Sequence, residues 1–172
     1  MPLELPAPTD RLRFRNYEVG DLDAVIEMFS DDEAKRWYPT TSQPKQAEQW
    51  IQWNLQNYQE HGVGLWVIED LATSEFVGDC GITYQTVLDD QIPEIGYHLT
   101  KAKRGEGYAG EAARQCKDFA FQTLDAARVC SIVDPLNESS RRVAGALHTS
   151  HRRFINNRGN ERDLFWTDRL PL

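Results

Sequence analysis

Arg104-Gly105-Glu106-Gly107-Tyr108-Ala109-Gly110 sits between a strand-like run, Pro93 to Thr100, and a helical one, Glu111 to Leu124. Glycines at 105, 107 and 110 free the backbone to take positive φ and to press against a ligand. A helix opening directly beyond such a loop aims unpaired N–H groups and the positive end of its dipole at one place, which suits an anion. The loop therefore reads as a cradle for a pyrophosphate. The bare pattern, Arg-x-x-Gly-x-Ala, also fits a plain strand-to-helix connection. One other phosphate motif is excluded: no Lys followed by Ser or Thr makes a Walker loop.

At 172 residues the chain is the size of one domain, read as 1–172, with length enough for a real core. Its 40% hydrophobic and 27% charged residues suit a globular protein, and no apolar run approaches the ~20 residues of a membrane span. Met1 to Pro8 is proline-punctuated without a basic start, so it does not read as a signal peptide and a cytoplasmic location is expected. Cys80, Cys116 and Cys130 have no paired spacing and read as reduced thiols, Cys116 as core. The four histidines form no His-Glu-x-x-His arrangement, and no protein-bound metal is expected. A net charge of −8 argues against a general nucleic-acid binder. Its distribution is uneven: residues 1–100 hold 6 Lys+Arg and 18 Asp+Glu, net −12, and residues 101–172 hold 13 and 9, net +4. That suits an anionic ligand at one end and a cationic one at the other, or equally a solvated surface with no steering role.

Leu12 to Tyr17 reads as a first strand with Arg11, Arg13 and Arg15 on one face. Asp21 is placed to cap a helix carrying Leu22, Val25, Ile26 and Phe29, and Ser30-Asp31-Asp32-Glu33 forms a capping box for a second, closed by Pro39. Pro44 starts a third, with Ala47, Trp50, Ile51, Leu55 and Tyr58 on one face, ending at Gly62. Leu65 to Ile68 and Phe76 to Gln85 read as a hairpin, with Gly78 and Gly81 marking a bulge or close approach. Asp89-Asp90 reads as loop, and Glu94 to Leu99 as a two-faced strand. The next helix carries a stripe of Ala109, Ala112, Ala113, Cys116, Ala120, Thr123 and Leu124; its small residues let it lie close to a sheet. Val129 to Val133 is a strand, Asn137 caps a helix, and 151–155 with 164–169 make a last hairpin. This order is α/β, with a mostly antiparallel sheet and one parallel step across the loop-bearing helix.

The chain resembles the GNAT acetyltransferases, in the branch of ribosomal-protein N-terminal acetyltransferases and their small-amine relatives. The resemblance is carried by Leu12-Arg13-Phe14-Arg15, Asp21 to Phe29, Phe76 to Gly81, Glu94 to Leu99, the Arg104 loop with Glu111-Ala112-Ala113, and Asn137-x-x-Ser140-x-x-Val143, in that order. It implies a central sheet in which the strands at 94–99 and 129–133 splay apart to admit the pantetheine arm of acetyl-CoA. Backbone groups of Tyr97, His98 and Leu99 would pair with that arm, and an amide at His98 or Leu99 would polarise the thioester. Amides of Gly105, Glu106, Gly107, Tyr108, Ala109 and Gly110 would hold the pyrophosphate, with Arg104 adding charge; Asn137 and Ser140 would lie by the sulfur. Dimers are common among relatives, so a homodimer is a further expectation. After Val143 the sequence departs from the family, with Ala144-Gly145-Ala146-Leu147-His148-Thr149 where a charged pair, Leu-Gly and an aromatic or methionine are usual. This puts the acceptor side and the end of that helix in question.

The chemistry adds its own demands. An acceptor amine, of pKa about 8 for an α-amino group or about 10.4 for a lysine-like one, must shed a proton before it attacks. Glu94 is the candidate base, directly or through water, and Ser140 the candidate donor to the departing thiolate. Each has a plainer reading: Glu94 as an ion-pair partner, His98 as a satisfied strand residue, Asn137 as an N-cap only, Ser140 as a surface residue, and Trp66 and Tyr84 as core. The implied activity is acetyl transfer from acetyl-CoA to a primary amine, either a protein N-terminus or a small cationic amine. A non-catalytic acyl-CoA-sensing domain is the alternative, and an NTP-binding protein a third reading.

Overall fold

The computed structural model describes residues 4–171, so Met1 to Leu3 of the N-terminal reading lie outside the described residues. The elements run β1 (Leu12–Arg15), a 3-10 turn, α1 (Leu22–Met28), α2 (Asp32–Trp37), α3 (Pro44–His61), β2 (Leu65–Asp70), β3 (Phe76–Val87), β4 (Asp90–Leu99), α4 (Tyr108–Gln122), β5 (Arg128–Val133), α5 (Glu138–Leu147), β6 (Ser150–Ile155) and β7 (Glu161–Asp168). Seven strands form one sheet in the order β1-β2-β3-β4-β5-β7-β6. Every neighbouring pair is antiparallel except β4 and β5, whose connection is α4. A parallel step needs such a crossover, and the family's fold is the expected one.

Alternation along the strands sorts side chains between the two faces of the sheet. On one face, Cys116 of α4 touches Cys80 of β3, with 3.6 Å between sulfurs, and Phe119 packs edge-on against Trp66. Ala112, Ala113 and Ala120 are fully buried beside them, so the small-residue stripe does bring α4 down onto β3 and β4. On the other face lie α1 to α3, where Ala47, Ile51 and Tyr58 are buried. Asp79 and His98 are paired across β3 and β4, so both point to this second face. Glu94, four residues before His98 on the same strand, shares it.

Local chemistry departs from expectation in four places. Asp21 does not cap α1 with its side chain; its carboxylate accepts from Glu18 N (2.8 Å) and from both terminal nitrogens of Arg15 (2.9 and 2.8 Å). The N-cap of α2 is Asp31 rather than Ser30. Arg13 and Arg15 do share a face and straddle Glu69, but Arg11 turns away toward α4. Finally, Asp90 belongs to a strand: β3 and β4 are a long hairpin turned at Leu88 and Asp89, whose φ values of 49° and 74° suit a two-residue mirror-image turn. Leucine is an unusual occupant of that turn, so the junction reads as an ordinary loop.

Candidate active site

Gly105 and Gly107 hold φ of 81° and 83°, values a residue with a Cβ adopts only with strain. Gly107 is the N-cap of α4, which begins at Tyr108, three residues before the expected Glu111. Among the described residues none of the amides from Gly105 to Gly110 donates to a protein acceptor; the first helical bond inside α4 runs from Glu111 N to Gly107 O. The loop is braced from behind by Arg11, whose Nη2 donates to Glu106 O (3.0 Å), whose Nε donates to Glu111 (2.7 Å), and whose guanidinium lies 4.2 Å from the centre of the Tyr108 ring. Glu111 also accepts from Thr9 Oγ1 (2.7 Å), tying the N-terminal segment to the first turn of α4.

Arg104 lines the cleft above the loop and is also bound within the protein. Its Nη1 and Nη2 each donate to a carboxylate oxygen of Asp31 at 2.8 Å, and Nη2 also reaches Leu99 O (3.2 Å). Those bonds hold the Asp31 carboxyl below its ordinary value. The guanidinium thus joins the cap of α2 to the end of β4, and its charge is already met. Arg142 of α5 lines the same cleft and makes no ion pair among the described residues.

The loop floors a cleft of about 450 Å³ lined also by Tyr97, His98 and Leu99 of β4, by Phe29, Trp37 and Tyr38, and by Asn137 and Ser140. The cleft exists because β4 and β5 part. They share a single parallel pair, Glu94 with Cys130. The next contact is already a substitute, with Ser131 Oγ donating to Ile95 O (2.9 Å). Beyond it a second cavity of about 160 Å³ opens between the strands, lined by Trp50, Trp53, Thr83, Gln85, Glu94, Gly96, Ser131 and Ile132. Tyr38, Tyr97, His98 and Ser140 line both spaces, so the two meet at these four side chains.

Glu94 lies in the smaller cavity, accepting from Ile132 N (2.9 Å). Desolvation pushes its carboxyl up to about 7, against the opposing pull of the Ile132 amide and His98. No arginine pairs with it among the described residues. Ser140 donates to the Tyr97 hydroxyl (3.2 Å), which donates in turn to Ser140 O (2.7 Å). Asn137 is an N-cap, its Oδ1 accepting from Ser140 N (3.2 Å), while it also lines the cleft. Trp66 is core, whereas Tyr84 is partly exposed (37%) and lies outside both cavities. Gly145 does not end α5, which runs on to Leu147. His148 turns inward, with Nε2 3.0 Å from Ser131 Oγ and Nδ1 3.2 Å from Thr167 Oγ1. Because Ser131 spends its proton on Ile95 O, Nε2 must carry a hydrogen, and burial, which lowers the pKa to about 4, favours the neutral ring.

One feature escapes the sequence entirely. Asp79 is fully buried and accepts from Tyr17 OH (2.6 Å) and Trp50 Nε1 (3.0 Å) on one oxygen, and lies 2.6 Å from His98 Nδ1 on the other. His98 Nε2 lies 2.7 Å from Tyr38 OH. The contributors come from β3, β4, α3 and the segments flanking α1 and α2, and no spacing in the chain announces the group.

The sheet is thus splayed, with an anion-ready loop on one side of the gap and a small carboxylate-bearing cavity on the other. Residues 11–149 match the acetyltransferase (GNAT) domain, and the chain belongs to that family of acetyl-CoA-dependent acetyltransferases. It is 37% identical over 137 residues to the uncharacterized protein YkkB of Bacillus subtilis (strain 168), covering 79% of this chain and 80% of the relative. Among solved structures it resembles an acetyltransferase from Agrobacterium tumefaciens str. C58 (TM-score 0.82, 24% identity, 98% of each chain). It also resembles RimL, a ribosomal L7/L12 alpha-N-protein acetyltransferase in complex with coenzyme A (TM-score 0.77, 15% identity, 96% of this chain and 98% of that one). These two likenesses show the fold. Among the described residues no helix is long and apolar enough to cross a membrane.

Proposed function

We propose that the protein acetylates a primary amine, a peptide N-terminus or a small cationic amine, by direct attack of the amine on the thioester of acetyl-CoA. The observation that carries this reading is the meeting of two unlike spaces at Tyr38, Tyr97, His98 and Ser140, one floored by unpartnered amides and the other holding a carboxyl near neutrality. The amides of Gly105 to Gly110 and the dipole of α4 would take the pyrophosphate. The backbone of Tyr97 to Leu99 would take the pantetheine arm along the open edge of β4, with Asn137 at its side and an amide of that edge facing the developing oxyanion. Arg104 acts here by holding the loop's entry, and Arg142 is the cation free to meet the cofactor's phosphates.

Bound cofactor supplies an activated acetyl group, and the chain supplies proton handling and position. A carboxyl with a pKa near 7 is half ionised at neutral pH, where it can take the first proton of an ammonium substrate. Ser140 can turn its hydroxyl from Tyr97 to the departing sulfur. The aromatic walls, Tyr38, Trp50, Trp53 and Tyr97, suit a cation or a narrow alkyl stem. In this reading residues 1–172 work as one domain in the cytoplasm, with no metal, nucleic acid or membrane as partner, and with a homodimer as the working assembly. Thiol release from acetyl-CoA across a panel of peptides and polyamines is the test. Saturable acetylation of at least one amine is expected; cofactor binding with no acetylated product would assign the chain to sensing.

A further inference from the structure

We infer that Tyr38, His98 and Asp79 form a proton relay, in which the Tyr38 hydroxyl passes the amine's second proton across to the sulfur of coenzyme A. The inference rests on the acetyl-transfer reading above and adds a path that Glu94 and Ser140 do not provide. Hydrogen placement follows from the donors. Asp79 is buried with no basic side chain but His98 against it, and its other oxygen already takes two donors, so His98 Nδ1 carries the hydrogen shared with it. In the relay His98 accepts at Nε2, and the Tyr38 phenol donates to it across 2.7 Å. Burial, followed by the nearby carboxylates Glu94 and Asp79, raises the Tyr38 pKa, which keeps this phenol protonated. Its oxygen therefore offers lone pairs to the cavities while its proton is already aimed at His98. Nucleophile-activating triads place their groups in the same order, with tyrosine here standing where a serine commonly stands.

The place of Tyr38 suits transfer between the two reactants, since it lines both the large cleft and the small cavity. The rings of Phe29, Tyr38 and Trp50 pack around the imidazole at centroid distances of 5.5, 5.0 and 5.2 Å, so the relay is held in register before substrate arrives. The groups facing His98 that carry or lose a proton are Asp79 from β3, Tyr38 from the end of α2 and Glu94 from β4 itself.

The proton count closes. An ammonium substrate loses its first proton to Glu94 and then to water. As the C–N bond forms, the second N–H passes to Tyr38 oxygen while the phenolic proton moves to His98 Nε2, leaving an imidazolium beside Asp79. As the C–S bond breaks, the same protons return by way of Tyr38 to the thiolate. Amide and free thiol leave, and His98 has given up the proton it took.

Tyr38→Phe, which keeps the ring packing, and His98→Gln test this. Each is expected to lower kcat about 100-fold, with KM for acetyl-CoA changed less than about threefold, and the double variant should be no slower than either single one because the groups act as a unit. Nitrogen-15 histidine NMR on the wild-type protein gives a readout independent of turnover, with His98 expected in the Nδ1–H tautomer. A Tyr38→Phe enzyme with kcat within about threefold of wild type, or a His98 found as the Nε2–H tautomer, overturns the relay. Wild-type protein that gives no heat with acetyl-CoA would instead remove the acetyl-transfer reading, and the relay with it.

Discussion

The cleft over the loop and the cavity beside β5 are built by different means. The first is floored by main chain: six consecutive residues present amides without protein partners, and two glycines supply the curvature. The second is walled by side chains from β3, β4, β5 and α3, and its one carboxylate is made useful by desolvation. A main-chain site recognises a charge pattern common to every coenzyme A thioester and tolerates wide change in side chains. A side-chain site changes its substrate with a few substitutions. The two halves should therefore fail differently, one in binding of the cofactor and the other in turnover.

The largest expected effect is on turnover. Glu94→Gln should lower kcat about 100-fold while leaving the acetyl-CoA Kd within about twofold, measured by thiol release and by calorimetry. In the wild type, activity should rise with pH through about 7 as Glu94 loses its proton, and that limb should vanish in the variant. An equal loss in cofactor affinity would break the division between the halves. Next is Gly107→Val, where a branched side chain at φ 83° costs about 1–2 kcal/mol; acetyl-CoA affinity should weaken about tenfold with kcat at saturation little changed. Smaller still is Arg104→Gln. Because Arg104 is already paired with Asp31, affinity should change less than about threefold, and the loss should appear as a lower Tm. A tenfold loss of affinity without a change in Tm would return Arg104 to the cofactor.

These halves also differ in how much of them can be read from residues alone. The loop is contiguous, so its glycines, the following helix and the small-residue stripe are visible as one pattern. The hairpins and the single helical crossover were legible for the same reason, being local in sequence, whereas the pairings of β1 with β2 and of β5 with β7 span other elements and were not. What stayed hidden was long-range. Asp79 and His98 are 19 residues apart and Tyr38 lies 60 from His98, and a buried aspartate in Gly78-Asp79-Cys80 looks like any strand residue until Tyr17 and Trp50 are seen to satisfy it. The pairing of Arg104 was hidden for a related reason: its partner, Asp31, is 73 residues away. Arg11 reads as part of a strand face, yet its contacts with Glu106, Tyr108 and Glu111 make it the brace of the loop.

The stretch after Val143 marks a third kind of region, neither main-chain cradle nor catalytic pocket. His148 backs the splay by bonding Ser131, which bonds Ile95 where β4 and β5 part. Its folded pKa of about 4 lies below the ordinary value near 6.5, so the unfolded chain takes the proton first. The stability that His148 contributes is complete above about 6.5 and is lost as pH falls toward about 4. Thermal melts at pH 7 and pH 5 should show a drop in Tm that is smaller in His148→Gln, the least of the effects anticipated here.

Amide chemical-shift mapping during an acetyl-CoA titration tests the central claim most directly. Saturable shifts should concentrate at Gly105 to Gly110 and along Tyr97 to Leu99, with the β6 and β7 amides unmoved. Saturation with the largest shifts elsewhere, or no shift at the loop amides at all, would contradict a main-chain cradle for the cofactor's pyrophosphate.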